Sequence, residues 1–390
     1  MLRQLDPQSM TNSFELQQRG FACADEQLDR GYVDAIVRRR SARIAGLFSR
    51  CFRRRLQASA VGLDTIVDTL GSEPFDAVWS SALGQLRQAL LTTHDEQAAL
   101  IAAASLALHL AEKGRALSFE VVLEVPHTFR FGGHLLPMAR RITFSSDGRT
   151  AECVAANQPS TFALAGSTWE SSSASLTELV VLDMPGTPVV LLPGLPAGDV
   201  LPDALVPTAL DHGETRAAYE AAYDVLTQGA PSYLAWVHRA VHSLVPVEAR
   251  PGATVSSSFE MHPGVVALSH ESPAVALADA LVHEASHQHF YILGQLGPVH
   301  DGSDTRLYWS PARGEDRPID KILLAYHAFG NVLLFYRHCR SRGVGEPALC
   351  ERQERAYEDC LTTLRRPLET THALTPLGRA LFEPLAARLG

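Results

Sequence analysis

One heptapeptide, Leu281-Val282-His283-Glu284-Ala285-Ser286-His287, constrains this chain more than any other stretch. Two histidines four residues apart share a surface when the backbone between them is helical, because they then stand about one turn apart. Both imidazoles can reach one metal ion, and Glu284 projects from nearly the same side as a base or supporting group. The flanking residues agree with a helix. Ser272 is a good N-cap, Pro273 suits the first helical position, Ala, Val and Leu dominate 274–282, and Gly294 is a stop signal.

The surrounding chain of 390 residues is long enough for a sizeable core and two or three domains. A hydrophobic content of 46%, a charged content of 20% and a formal charge of −9 describe a globular protein with no nucleic-acid partner. One segment departs from that balance: Arg38, Arg39, Arg40, Arg43, Arg50, Arg53, Arg54 and Arg55 fall close together. Val33, Ile36, Val37, Ile44, Leu47, Phe48 and Phe52 recur there at helical spacing, so the arginines occupy the other faces of the same helix. They form either a solvated face with salt bridges or a docking surface for an acidic peptide. Met1 to Glu15 lacks a signal-peptide core, and no run of 18 apolar residues occurs, so neither secretion nor a membrane span is expected. The six cysteines are scattered without a C-x-x-C pair, which fits reduced thiols in a cytoplasm.

The texture divides the chain into three. Residues 1–115 read as helical and end at Gly114. Residues 116–205 read as β-rich, with runs at 118–125, 135–144, 176–182 and 187–192 and a hairpin signal at Asp147-Gly148. Residues 206–390 read as a helical region carrying the motif, with helices at 215–227, 231–244, 320–337, 346–364 and 375–389. A short hairpin, 254–259 with 264–269, precedes the motif helix. Zinc peptidases have a strand in that place, whose edge can hold an extended peptide. The expected fold class is α+β, predominantly helical, with a metal site between two helices of the C-terminal region.

A catalytic metal needs a third protein ligand. The peptidase pattern requiring Gly and His at 290 and 293 fails, because Phe290 and Leu293 stand there, and no Asn-Glu-x-x-x-Asp string follows. His327 is the best remaining candidate: it sits mid-helix in Leu323-Leu324-Ala325-Tyr326-His327-Ala328-Phe329-Gly330, where Gly330 admits a close neighbour. A buried core histidine is the plainer alternative. His289, His300, His338 and His372 are weaker candidates, and Asp301, Asp304, Glu315 or Asp316 would complete a two-His-one-carboxylate site. The intervening loop, Tyr308-Trp309-Ser310-Pro311-Ala312-Arg313-Gly314-Glu315-Asp316-Arg317-Pro318, brings two arginines near the metal. Arginine suits bidentate carboxylate recognition, which an enzyme with a dicarboxylate co-substrate needs and an endopeptidase does not.

Four segments carry a family resemblance: His283-Glu284-x-x-His287, Ser310-Pro311-x-Arg313 with Arg317-Pro318, Ala325-Tyr326-His327 followed by Phe329, and Leu374-Thr375-Pro376-x-Gly378. Over about 255–385 the chain resembles the HExxH-motif peptide-modification proteins of ribosomally made, post-translationally modified peptide (RiPP) biosynthesis. Members of that family are understood as iron(II) and 2-oxoglutarate-dependent peptide β-hydroxylases. The resemblance implies iron(II) on His283, His287 and His327. It also implies 2-oxoglutarate held by Arg317 or Arg313 within a site that includes Ser310 and Tyr308, with O2 as the second co-substrate. The partner would be a precursor peptide, leader plus core. Glu284 would handle a proton, and the fold would not be the jelly roll of other such oxygenases. Two other readings compete: a zinc peptidase with Glu284 as general base, and a non-catalytic binder that grips a leader peptide beside a vestigial metal site.

Overall fold

Helix-capping side chains define the first elements of the computed structural model, which describes residues 17–26, 28–51, 59–166, 168–184, 187–195, 205–208, 212–250 and 252–390. Helix α1 (Arg30–Cys51) buries Val33, Ile36, Val37, Ile44 and Phe48, the apolar spacing read from the sequence. Its arginines do not all face solvent: Arg40 is 8% exposed, and burial together with the nearby Arg87 charge pushes its pKa down to about 10. Phe52, Arg53, Arg54 and Arg55 lie outside the described residues. Helix α2 (Ser81–Gln88) is capped by Ser80, whose Oγ accepts from Leu83 N. Helix α3 (Glu96–Glu112) is capped by Asp95, which accepts from Ala98 N. Gly114, at φ +83°, ends that block as expected.

An antiparallel six-stranded sheet follows in sequence order, its first strand from the segment read as helical and the other five from the middle segment: β1 (Ala60–Val61), β2 (Leu117–His127), β3 (Ala139–Ser146), β4 (Thr150–Ala155), β5 (Gln158–Ala165) and β6 (Thr168–Ser171). Alternating burial along β4 is the pattern of a sheet with one wet face. Asp147-Gly148 makes the β3–β4 turn, with Asp147 Oδ1 accepting from Arg149 N and Thr150 N. The run 135–144 is not one strand. Gly132 and Gly133 take positive φ, and the chain breaks between a short pairing at His134–Leu135 and β3.

A second sheet of five strands positions the site. Its order is β7-β8-β9-β11-β10, where β7 is Val181–Met184, β8 Thr187–Leu191, β9 Ser243–Val247, β10 Ser256–Ser258 and β11 Val265–Ser269. Strands β8, β9 and β11 run parallel, while β7 and β10 are antiparallel edges. Every residue of β9 and β11 is buried, as parallel strands covered on both faces require. The sequence reading placed 243–244 in a helix ended by Pro246; instead Pro246 pairs with Leu268 inside β9. Apolar periodicity cannot separate a short buried strand from the tail of a buried helix. The sheet joins strands from the segment read as β-rich to strands from the segment read as helical.

Helices α4 (His212–Gly229) and α5 (Pro231–Ala240) lie between β8 and β9 in sequence. Then come α6 (Ala274–Leu293), the hairpin β12 (Leu307–Ser310) and β13 (Glu315–Pro318), α7 (Ile319–Ser341), α8 (Pro347–Thr370) and α9 (Pro376–Leu389). Pro273, not Ser272, is the N-cap of α6; Ser272 Oγ instead accepts from Thr254 Oγ1. Thr375 caps α9 by accepting from Gly378 N. Gly330 does admit a neighbouring helix: a Cβ there would lie 2.7 Å from Leu385 Cδ2 of α9. The fold is α+β, about half helical, and no sheet among the described residues closes into a barrel. No helix among them is long and apolar enough to cross a membrane.

Candidate functional site

Helical geometry divides α6 into two working faces. His283, His287 and Tyr291, spaced i, i+4 and i+8, line an open cleft of about 440 Å³ together with Glu284. The rings of His283 and His287 have centroids 4.6 Å apart and stand perpendicular. His289, two residues past His287, lies about 200° around the helix. It is fully buried, stacks on Trp236 at 3.6 Å and donates from Nε2 to the Trp236 carbonyl.

The same division governs α7. Lys321, Ala325 and Phe329, again at i, i+4 and i+8, face the cleft, joined by Leu324. His327 is two residues past Ala325 and so points the other way. Its ring is fully buried, and its Nε2 donates to the Phe21 carbonyl at 2.8 Å. The structure therefore gathers His283, His287 and Glu284 but does not bring His327 into the cleft with them. Of the weaker candidates, His338 bonds Asp25, and neither Glu315 nor Asp316 lines the cleft.

The segment read as a loop folds into the β12–β13 hairpin, which forms the next wall. Ser310, Arg313 and Arg317 all line the cleft, Arg313 from the turn and Arg317 from β13. Arg317 also pairs with Glu315 at 3.5 Å. Tyr308 does not line the cleft: its hydroxyl donates to Asp304, which also binds Arg306 and Thr371. The edge strand β10 closes the opposite side through Ser256, Ser257 and Ser258.

Sequence reading missed Lys321, Tyr291 and Asp279. The first two were findable from their four-residue offsets to Ala325 and His287. Asp279 precedes His283 by one turn and lines the adjoining cleft with it. Its Oδ2 accepts from the hydroxyls of Tyr336 and Tyr357 at 2.9 and 2.8 Å.

Arg313, Arg317 and Lys321 line the cleft with one carboxylate, Glu284, while Glu315 and Asp320, outside the lining, pair with Arg317 and Lys321 at 3.5 and 3.6 Å. Burial lowers the His287 pKa well below its ordinary value, reinforced by His283, His327, Lys321 and Arg313, so the ring stays neutral and free to act as a ligand. Burial raises Asp279 to about 6. Glu284 Oε1 accepts from Ser256 Oγ at 2.7 Å, while its Oε2 and His287 Nδ1 are buried with no partner.

Unpaired buried polar atoms beside two neighbouring imidazoles are a feature that a bound ion would satisfy. The residues fit a metal to the extent of two imidazole ligands. Among the described residues, no group of three His, Cys, Asp or Glu side chains is arranged to hold one. No protein-family model and no curated protein matches this chain.

Proposed function

We propose that this cleft serves a metal- and 2-oxoglutarate-dependent oxygenase that hydroxylates a side-chain Cβ of a ribosomally made precursor peptide. That activity is the one implied by the resemblance to the HExxH-motif peptide-modification proteins. One observation carries the reading: Arg313, Arg317 and Lys321 share the cleft of His283 and His287. Two arginines and a lysine in one lining suit a dicarboxylate co-substrate, which would draw Arg317 and Lys321 from Glu315 and Asp320, and have no evident use in cleaving internal peptide bonds.

In this reading His283 and His287 hold iron(II), which supplies the oxygen-activating chemistry when bound. Arg317, with Arg313 as the other choice, grips the distal carboxylate of 2-oxoglutarate, and Lys321 adds its charge to the same wall. Glu284 is fixed on one oxygen by Ser256 and keeps the other for a proton at the cleft wall. Among the described residues strand β10 has a neighbour only on its β11 side, so its outer edge can pair with an extended peptide through main-chain hydrogen bonds.

The test is to incubate anaerobically purified protein with iron(II), 2-oxoglutarate, O2 and the cognate precursor peptide. The expected result is succinate together with a peptide heavier by one oxygen. Succinate and oxidised peptide both absent from an iron-loaded sample would refute the reading. The zinc-peptidase reading uses the same histidines and the same β10 edge, and it requires Glu284 as base. Cleaved peptide with bound zinc, abolished by Glu284→Gln, would select it.

A further inference from the structure

The HExxH cleft continues into a groove of about 730 Å³, and Ser256 of β10, His283 of α6 and Phe329 of α7 line both. These three side chains make the boundary, with the His283 and Phe329 rings 5.2 Å apart. Beyond it α8 supplies a wall through Leu349, Gln353 and Tyr357, spaced i, i+4 and i+8. The α6 residues that line cleft and groove run from Ala276 to Tyr291. At 1.5 Å per residue that is about 22 Å, the length of about seven residues of extended chain. A peptide paired along β10 therefore reaches over the His283 boundary and enters both.

The two linings differ in charge. The groove has two carboxylates, Glu271 and Asp279, and one guanidinium, Arg250, whereas two arginines and a lysine line the cleft with Glu284. Asp279 is the carboxylate placed to receive a ligand. Its Oδ2 accepts from the hydroxyls of Tyr336 and Tyr357, which hold the group in place as an acceptor. Its Oδ1 has no partner among the described residues and, unlike Glu284 Oε2, is not sealed from solvent.

The rest of the groove is mixed in polarity. Thr254 and Ser272 bond each other through their hydroxyls, and Gln353 is polar. Pro273, Ala276, Ala280 and Leu349, with the Phe329 and Tyr357 rings, give apolar surface beside Asp279. A methylene stem lies well on such surface when the charged head it carries reaches an acceptor. Lysine and arginine have that form, and arginine also stacks on aromatic rings. Asp279 is one turn from His283, about 6 Å along α6, so a basic residue held there adjoins the residue presented to the histidines.

We propose that this groove is the specificity subsite of the HExxH cleft, and that the substrate is a peptide carrying a lysine or arginine beside the modified residue, its cation on Asp279. The proposal rests on the reading that the cleft acts on a peptide, but not on the oxidation assigned to it.

The experiment is selection of a random octapeptide pool on the immobilised full chain, in about 0.15 M salt to screen long-range attraction to the net negative protein. The retained peptides are sequenced by mass spectrometry. Lysine and arginine should be enriched about fivefold over the input pool. Asp279→Asn, which removes the charge and keeps the shape, should bring that enrichment below about twofold. Gln353→Lys, which sets a cation in the groove from α8, should do the same and serves if the first variant does not fold. Glu383→Gln, a carboxylate lost from α9 outside both sites, should leave the enrichment in place. Absence of enrichment, preference for acidic peptides, or undiminished enrichment in Asp279→Asn would overturn the proposal. The selection needs neither metal nor co-substrate. Enrichment lost with Asp279→Asn but without oxidation of any retained peptide would count against the oxygenase reading and support the subsite, and oxidation without enrichment would do the reverse.

Discussion

Replacing His327 by Ala separates a ligand from a structural histidine. Its imidazole is fully buried on the interior face of α7 and donates to the Phe21 carbonyl. Removing the ring leaves a cavity and an unpaired carbonyl, which together cost about 3–5 kcal/mol. The His327 Nδ1 is itself buried without a partner, and its removal offsets about 1 kcal/mol of that loss. The net destabilisation should be about 3 kcal/mol, a large share of the 5–15 kcal/mol typical of folded domains. Metal affinity should change by less than about threefold, because the ring does not reach the cleft. His287→Ala should do the opposite, weakening metal binding by about a hundredfold or more with a smaller effect on stability. Urea denaturation measures the first quantity, and a cobalt(II) titration followed by visible absorption measures the second. A His327→Ala protein of unaltered stability that has lost cobalt binding would refute the reasoning from helix faces.

Other substitutions probe the remaining features. Burial lowers the pKa of His109, His127, His238, His242, His287, His289 and His327. The unfolded chain therefore binds protons that the folded one refuses. Stability present above about pH 6.5 should be lost as pH falls through the folded values, at roughly 1.4 kcal/mol per unit for each mismatched histidine, measurable by denaturation between pH 7 and 4. Asp279 has the opposite sign: its folded value of about 6 exceeds the ordinary 3.8, so its contribution weakens as pH rises through that window. In metal-free protein Asp279→Asn should gain up to about 3 kcal/mol at pH 7, since an amide oxygen still accepts from both tyrosines, and thermal unfolding would show it. Gly264→Ala should lose at least about 3 kcal/mol in urea, because φ is +79° and the His242 ring occupies the space. Arg317→Ala and Arg313→Ala should each weaken 2-oxoglutarate binding about tenfold, as calorimetry on the metal-loaded protein would report.

The HExxH helix was legible because a four-residue offset means one thing on a helix, whatever surrounds it. His327 was harder. An apolar neighbourhood marks a buried histidine and a ligand alike, and only the phase of α7 separates them. Lys321, Ala325 and Phe329 hold the cleft face, and His327 is out of step with them. Strand β9 was misread because Pro246 resembles a helix stop, yet β9 has neighbours on both sides and Pro246 pairs within it. The β12–β13 hairpin was read as a loop because four-residue strands carrying Arg, Glu and Asp show no apolar alternation. The pocket lined by His109, Phe129, Leu195 and His242 left no local trace, because only tertiary packing makes these residues neighbours.

The segment 21–26 holds the far end of the chain. Phe21 and Ala22 offer their carbonyls to His327 and Asn331, Asp25 pairs with His338, and Glu26 pairs with Arg388. Each link spans more than 300 residues, so the closing helices are buttoned to a strap synthesised long before them. A fragment starting at residue 206 would leave the His327 Nε2 without its acceptor and Asn331 with only Tyr233 and the His327 carbonyl. The region carrying the motif is thus not a removable module, and during synthesis its helices reach their final seating only once that early strap is waiting in place.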